Sequence, residues 1–159
     1  HIGPVVSEVQ FNKIQTLIQA GIDEGARLVA GGVGRPDGFE KGYYIKPTVF
    51  ADVNNEMTVA AEEIFGPVLA MIPFETEEEV LTYANATKYG LASIIWTSNL
   101  NRAHRVAARL HAGIVWINCW LLRDLRTPFG GVKHSGVGRE GGFEALQFFT
   151  EPKNVCIKF

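Results

Sequence analysis

Adjacent acidic residues beside an apolar segment form the first candidate site. Glu62 and Glu63 directly precede residues 64–67 (Ile-Phe-Gly-Pro) and an apolar run. Because burial of an unpaired charge is costly, we expect at least one of these carboxylates to bind something. A salt bridge to a surface lysine is the alternative, and it is expected more for Glu62 than for Glu63.

Two arginines in an apolar segment form the second candidate site. Arg123 and Arg126 flank Asp124, and Trp120 and Phe129 lie in the same stretch. Guanidinium groups in such surroundings suit bidentate binding of a carboxylate. An internal Arg–Asp pair that braces the segment remains the alternative.

The cysteines and histidines do not suggest a metal site. Cys119 and Cys156 lie far apart with no CxxC or Cys/His spacing, so we expect neither bound zinc nor a disulfide. This cysteine usage suits the cytoplasm. Cys119 follows an apolar strand, which favours an inert thiol over a nucleophile. Residues 136–141 match GxGxxG but follow a polar loop, which favours a glycine-rich turn over a nucleotide fingerprint.

The composition excludes several classes of partner. The chain has 159 residues with Lys+Arg 15 against Asp+Glu 17, and the two signs are interspersed. No basic patch is available for nucleic acid or an anionic membrane. No apolar run reaches the ~20 residues of a membrane span, and the start at His1 lacks the features of a signal peptide.

Alternating strand and helix patterns predict an α/β fold with a parallel sheet covered by helices. Ser7, Thr76 and Asn99 are the predicted helix caps. The predicted helices cover about 8–24, the segment after Thr76, the segment after Asn99 and 142–149. The predicted strands are 27–32, 43–50, 68–74, 92–96, 114–117 and 154–159.

Five ordered motifs resemble landmarks of the NAD(P)-dependent aldehyde dehydrogenase family. They are GPVVS (3–7), GYYIKPTVF (42–50), EEIFGPV (62–68), YGLAS (89–93) and PFGGVKHSGVGRE (128–140). The resemblance covers essentially the whole chain and corresponds to the C-terminal third of such an enzyme. Residues 118–131 (NCWLLRDLRTPFGG) look most like the 2-aminomuconic and 2-hydroxymuconic semialdehyde dehydrogenases.

The resemblance implies a role for each candidate residue. Glu63 would bind the nicotinamide ribose hydroxyls of NAD, with NADP not excluded, and Phe65 would pack beside the nicotinamide. Arg123, with Arg126 second, would bind a substrate carboxylate. Phe129 would line the aldehyde tunnel, and Trp120 would belong to the same substrate segment.

The resemblance also implies an organisation. Residues 1–150 would be part of the catalytic domain, and 151–159 would be a strand joining a neighbouring subunit in a homo-oligomer. The family's catalytic cysteine, general base and nicotinamide-binding turn match no residue here, so no catalytic residue is assigned. We therefore expect the isolated chain to be inactive in oxidising a muconic-type semialdehyde. A short noncatalytic scaffold or binding module is the alternative, and a small enzyme using Cys119 is a more remote one.

Overall fold

Helix α1 (Glu8–Asp23) begins where the capping pattern predicts. In the computed structural model, which describes residues 2–159, the Ser7 hydroxyl accepts a hydrogen bond from Gln10 N at 3.2 Å. The helix ends before Gly25, whose positive φ of 88° favours glycine. Its apolar stripe of Phe11, Ile14 and Ile18 is buried in a cluster with Phe50. The predicted helix is therefore confirmed.

The chain divides into two compact units at Glu75 and Thr76. The first unit holds a three-stranded sheet in the order β1 (Arg27–Ala30), β2 (Thr48–Ala51) and β3 (Val68–Ala70). Strands β2 and β3 are parallel, as predicted, whereas β1 runs antiparallel to β2. A loop without a helix joins β1 to β2, and such a connection suits antiparallel neighbours.

All three strands of the first unit are shorter than predicted, and β1 ends at Ala30 instead of residue 32. The prediction of 43–50 starts too early and that of 68–74 ends too late. Pro47 carries no N–H for a ladder hydrogen bond, which accounts for the start of β2 at Thr48. A short helix, α2 (Thr58–Ala61), was not predicted. Its first N–H donates to the Glu24 carboxylate at 2.7 Å, a tertiary contact with no local sequence signal.

The second unit is a strand–helix–strand arrangement preceded by a helix. Its elements are α3 (Glu77–Asn85), β4 (Ala92–Ile95), α4 (Leu100–Arg109) and β5 (Ile114–Ile117). Strands β4 and β5 are parallel, as α4 between them allows. Thr76 caps α3 and Asn99 caps α4, as predicted. This unit buries Leu81, Ala103 and Val106.

The segment after β5 contains little regular structure. A short 3-10 helix covers Lys133–Ser135, and α5 covers Gly142–Phe149 as predicted. The predicted strand at 154–159 does not form within the described chain. No backbone hydrogen bond joins residues 151–159 to another part of residues 2–159, and a strand requires such a partner. No helix among the described residues has both the length and the apolar character needed to cross a bilayer.

Candidate cofactor and substrate sites

The loop 62–67 in the first unit is fixed through its backbone. Gln10 Nε2 donates hydrogen bonds to Ile64 O at 2.9 Å and Phe65 O at 3.2 Å. Lys13 Nζ donates to Glu63 O at 3.1 Å. Both donors project from α1, so the position of the loop depends on the packing of that helix.

Close packing of Ile64 and Gly66 against the first unit's core also restricts the position of the loop. Ile64 is buried in the core of the first unit. A Cβ at Gly66 would lie 2.6 Å from Ile14 Cδ1, which is closer than real Cβ contacts allow. Phe65 has a φ of 55°, in the left-handed region that side chains rarely adopt. Such conformations persist where the surrounding contacts determine them.

The side chains of this loop project outward. Glu63 is exposed, and its carboxylate makes no hydrogen bond or ion pair within residues 2–159. The Phe65 side chain is 74% exposed. Glu62 is exposed as well, so the sequence argument from the cost of burial was wrong for both carboxylates. The loop instead offers a free acceptor and an aromatic face to a ligand.

The candidate substrate loop, residues 118–129 in the second unit, is held at its start and middle. Asn118 Nδ2 donates to Thr97 O at 2.7 Å, and Asn118 Oδ1 accepts from Thr97 N at 2.8 Å. Trp116 Nε1 donates to Leu122 O at 3.0 Å. These contacts fasten an exposed loop to the ends of β4 and β5.

The end of the same loop is held by a two-bond bridge. Phe129 N donates to Glu140 O at 2.8 Å, and Glu140 N donates to Phe129 O at 2.6 Å. Gly113, just before β5, lies so close to Gly130 that a Cβ on Gly113 would overlap the Gly130 carbonyl. The backbone of Phe129 is thus held by Glu140, and that of the next residue by its close approach to Gly113.

Arg123 lies over the face of Phe129. The distance from its guanidinium carbon to the ring centroid is 4.0 Å, which is a cation–π contact. Arg123 makes no ion pair in the described part of the chain. The two residues line an open recess of about 100 Å³, together with Trp116, Asp124 and Glu140. The recess therefore presents a cation without an acidic partner.

Arg126 is engaged differently. Its Nε donates to the Asp124 carboxylate at 2.9 and 3.1 Å, and its backbone N donates to Asp124 Oδ1 at 2.9 Å. This is the internal pair that the sequence left open as an alternative to substrate binding. Because the carboxylate accepts these bonds, the pKa of Asp124 lies below its usual value.

Sequence reasoning placed some residues of the recess and missed others. Trp120 is 67% exposed and does not line the recess. Trp116 and Glu140 do line it but were not predicted as site residues. Glu140 lies 11 positions beyond Phe129 in the chain, and no local pattern signals their pairing. Cys119 is the second residue of this loop and is a free thiol.

Comparison with known proteins identifies the family. The family model described as "Aldehyde dehydrogenase family" matches residues 1–155. The chain belongs to the aldehyde dehydrogenase family. It is 48% identical over 160 residues to 2-hydroxymuconic semialdehyde dehydrogenase from Pseudomonas putida, covering 99% of this chain and 33% of that protein. It is 51% identical over 156 residues to betaine aldehyde dehydrogenase from Cereibacter sphaeroides, covering 98% and 32%.

Solved structures of the family share the fold. Mycobacterium tuberculosis aldehyde dehydrogenase complexed with NAD+ matches with a TM-score of 0.90 and 50% identity, covering 95% of this chain and 31% of that one. The chain thus spans about a third of the length of the family members it matches.

Proposed function

We propose that this chain forms the aldehyde-selecting part of an NAD-dependent aldehyde dehydrogenase that oxidises a carboxylate-bearing semialdehyde of the muconic type. The observation that carries the proposal is the Arg123 guanidinium, stacked on Phe129 with no acidic partner within residues 2–159. A guanidinium offers paired donors that match the two oxygens of a carboxylate. The relative named 2-hydroxymuconic semialdehyde dehydrogenase supports this substrate class.

Arg123 and Phe129 would act together on the substrate. The Arg123 donors would bind the carboxylate and thereby orient the aldehyde at the other end of the molecule. The Phe129 ring would orient the Arg123 guanidinium and exclude water from one of its faces. Exclusion of water strengthens the attraction between the guanidinium and the substrate carboxylate. Phe129 can do this because both of its backbone hydrogen-bonding groups are fixed by Glu140.

The loop 62–67 would hold the nicotinamide end of the cofactor. Glu63 would accept hydrogen bonds from the ribose hydroxyls, since its carboxylate is exposed and unpartnered in the described chain. Phe65 would pack beside the nicotinamide. NAD+ supplies a hydride acceptor when bound. The NAD+ complex of the M. tuberculosis relative supports NAD, and NADP is the alternative.

We also propose that residues 151–159 join two copies of the chain in a homo-oligomer. Residues 151–159 would leave the catalytic part formed by 1–150 and add a strand to the sheet of a second copy. Their unpaired backbone groups and exposed apolar side chains support this role. The two free cysteines support a cytoplasmic protein.

The substrate proposal can be tested in a hybrid enzyme. In this hybrid, the present chain replaces the matching third of the P. putida 2-hydroxymuconic semialdehyde dehydrogenase. Arg123→Gln removes the cation while retaining a polar side chain of similar reach. Loss of a charge-assisted hydrogen bond costs about 1.5–3 kcal/mol, so KM for 2-hydroxymuconic semialdehyde should rise about tenfold or more.

Hexanal, a neutral aldehyde of the same carbon number, is the matched substrate control. Its KM should change by less than about twofold in Arg123→Gln, because no carboxylate is present. Arg102→Gln removes the same charge from α4, outside the recess, and serves as the variant control. Equal increases in KM for both aldehydes would contradict recognition of a carboxylate by Arg123.

A further inference from the structure

Asp124 introduces a difficulty for carboxylate binding in the recess. It follows Arg123 directly in the chain, and both residues line the same recess. A free Asp124 carboxylate would attract the Arg123 guanidinium and repel an incoming carboxylate. Either effect would weaken the binding proposed for Arg123.

The contacts of Asp124 remove that difficulty. The Arg126 guanidinium donates hydrogen bonds to both Asp124 carboxylate oxygens, and the Arg126 backbone N donates to Oδ1. The Asp124 carbonyl accepts hydrogen bonds from Thr127 N at 3.0 Å and Thr127 Oγ1 at 2.7 Å. All these donors belong to residues that follow Asp124 in the chain, whereas Arg123 precedes it. The turn therefore holds the carboxylate on Arg126.

We propose that Arg126 is a positioning residue that sequesters the Asp124 carboxylate and so leaves Arg123 free to bind the carboxylate of the substrate. This rests on the substrate role proposed for Arg123. Arg126 itself does not touch the substrate in this proposal, although the sequence and the family resemblance made it the second choice, after Arg123, for binding the carboxylate. Its side chain is 88% exposed, so solvent screens the pair, and the backbone hydrogen bond supplies part of the orientation.

The first test uses the 159-residue chain and requires no enzymatic activity. The pKa of the Asp124 carboxyl is measured by carbon-detected NMR titration in the unaltered chain, in Arg126→Gln and in Arg126→Gln/Arg123→Gln. In Arg126→Gln the Asp124 pKa should stay below its usual value, because Arg123 replaces Arg126 as the partner. In the double variant the Asp124 pKa should rise above its value in Arg126→Gln, with only the backbone N–H of residue 126 still lowering it. Equal Asp124 pKa values in Arg126→Gln and in the double variant would overturn the proposal, because Arg123 would then not have replaced Arg126.

The second test uses the hybrid enzyme and separates positioning from simple loss of loop structure. Arg126→Gln should raise KM for 2-hydroxymuconic semialdehyde about fivefold relative to the change for hexanal. Adding Asp124→Asn removes the charge that Arg126 holds, and this should restore KM to within about twofold of the unaltered hybrid. Arg102→Gln again controls for loss of a positive charge elsewhere.

The outcomes distinguish the two proposals. If Arg123→Gln shows the selective rise in KM but Asp124→Asn fails to rescue Arg126→Gln, the sequestering role is wrong and Arg126 binds substrate or supports the loop. If Arg123→Gln shows no selective rise, the substrate role of Arg123 is wrong. Selective loss in Arg126→Gln together with rescue by Asp124→Asn supports both proposals.

Discussion

Glu63 and Phe65 illustrate how exposed side chains can be held in fixed positions. Neither side chain is packed, yet the backbone of both residues is hydrogen-bonded to side chains of α1. The left-handed φ of Phe65 is maintained by these contacts and by Gly66, which lies against Ile14. A ligand bound here would meet an organised loop, which lowers the entropic cost of binding.

A test of this residue-scale account replaces Glu63 by Gln in the hybrid enzyme. A neutral amide oxygen is a weaker acceptor than a carboxylate by about 1 kcal/mol, so KM for NAD+ should rise about fivefold. KM for the aldehyde should change less. Glu40→Gln, in an exposed loop of the same unit, is the matched control. An unchanged KM for NAD+ in Glu63→Gln would argue against ribose binding.

At the scale of elements, α3 and α4 are joined by ion pairs across their exposed faces. Arg105 Nε and Nη2 donate to the two Glu77 oxygens at 2.6 and 2.7 Å, and Arg109 pairs with Glu78. These hydrogen bonds lower the pKa of both glutamates below the ordinary value of 4.5. The acidic first turn of α3 thus serves both the helix dipole and the contact with α4.

The lowered pKa of Glu77 predicts a pH dependence of stability. A carboxyl group whose pKa is lower in the folded than in the unfolded state stabilises the fold at pH values above its unfolded pKa. That stabilisation is lost as the pH falls through the pKa of the folded state. Glu77→Gln should therefore lower the Tm of the 159-residue chain at pH 7. The Tm difference should shrink as pH falls below about 4.5. Thermal melts from pH 7 to about 2.5, with Glu40→Gln as control, would measure this Tm difference. A Tm difference that does not change with pH would contradict stabilisation by the ionised Glu77 carboxylate.

The elements also show what local sequence encodes. Ser7, Thr76 and Asn99 mark helix starts because capping is a contact between residues three positions apart. Strand ends and the direction of β1 depend on hydrogen bonds between distant segments, so the sequence pattern placed them less well. The loop contacts of Gln10 and the bridge of Glu140 span more than ten residues and gave no local signal.

For the candidate site as well, part could be predicted from the sequence and part required the structure. The residue types at Glu63 and Arg123 suggested ligand chemistry, and the family resemblance assigned each a role. Only the structure shows that Arg123 has no ion-pair partner within residues 2–159, whereas Arg126 pairs with Asp124. Both arginines directly follow a leucine in the same loop, and only the turn around Asp124 distinguishes them.

At the level of the whole molecule, residues 151–159 are the proposed subunit-joining strand. Val155, Ile157 and Phe159 alternate along it, and all three are exposed. Proline cannot donate a ladder hydrogen bond, so Ile157→Pro should reduce the oligomeric mass of the hybrid enzyme. Light scattering after size-exclusion chromatography measures that mass. An unchanged mass would contradict a subunit-joining strand.

In the proposed function, the recess that holds Arg123 selects a carboxylate-bearing aldehyde. The most direct measurement grafts this chain onto the betaine aldehyde dehydrogenase of C. sphaeroides, replacing the matching third. The ratio of kcat/KM for 2-hydroxymuconic semialdehyde to that for cationic betaine aldehyde is then compared with the ratio in the unaltered parent. We expect this ratio to increase about tenfold or more, and Arg123→Gln should abolish the increase. A ratio equal to that of the parent would contradict it.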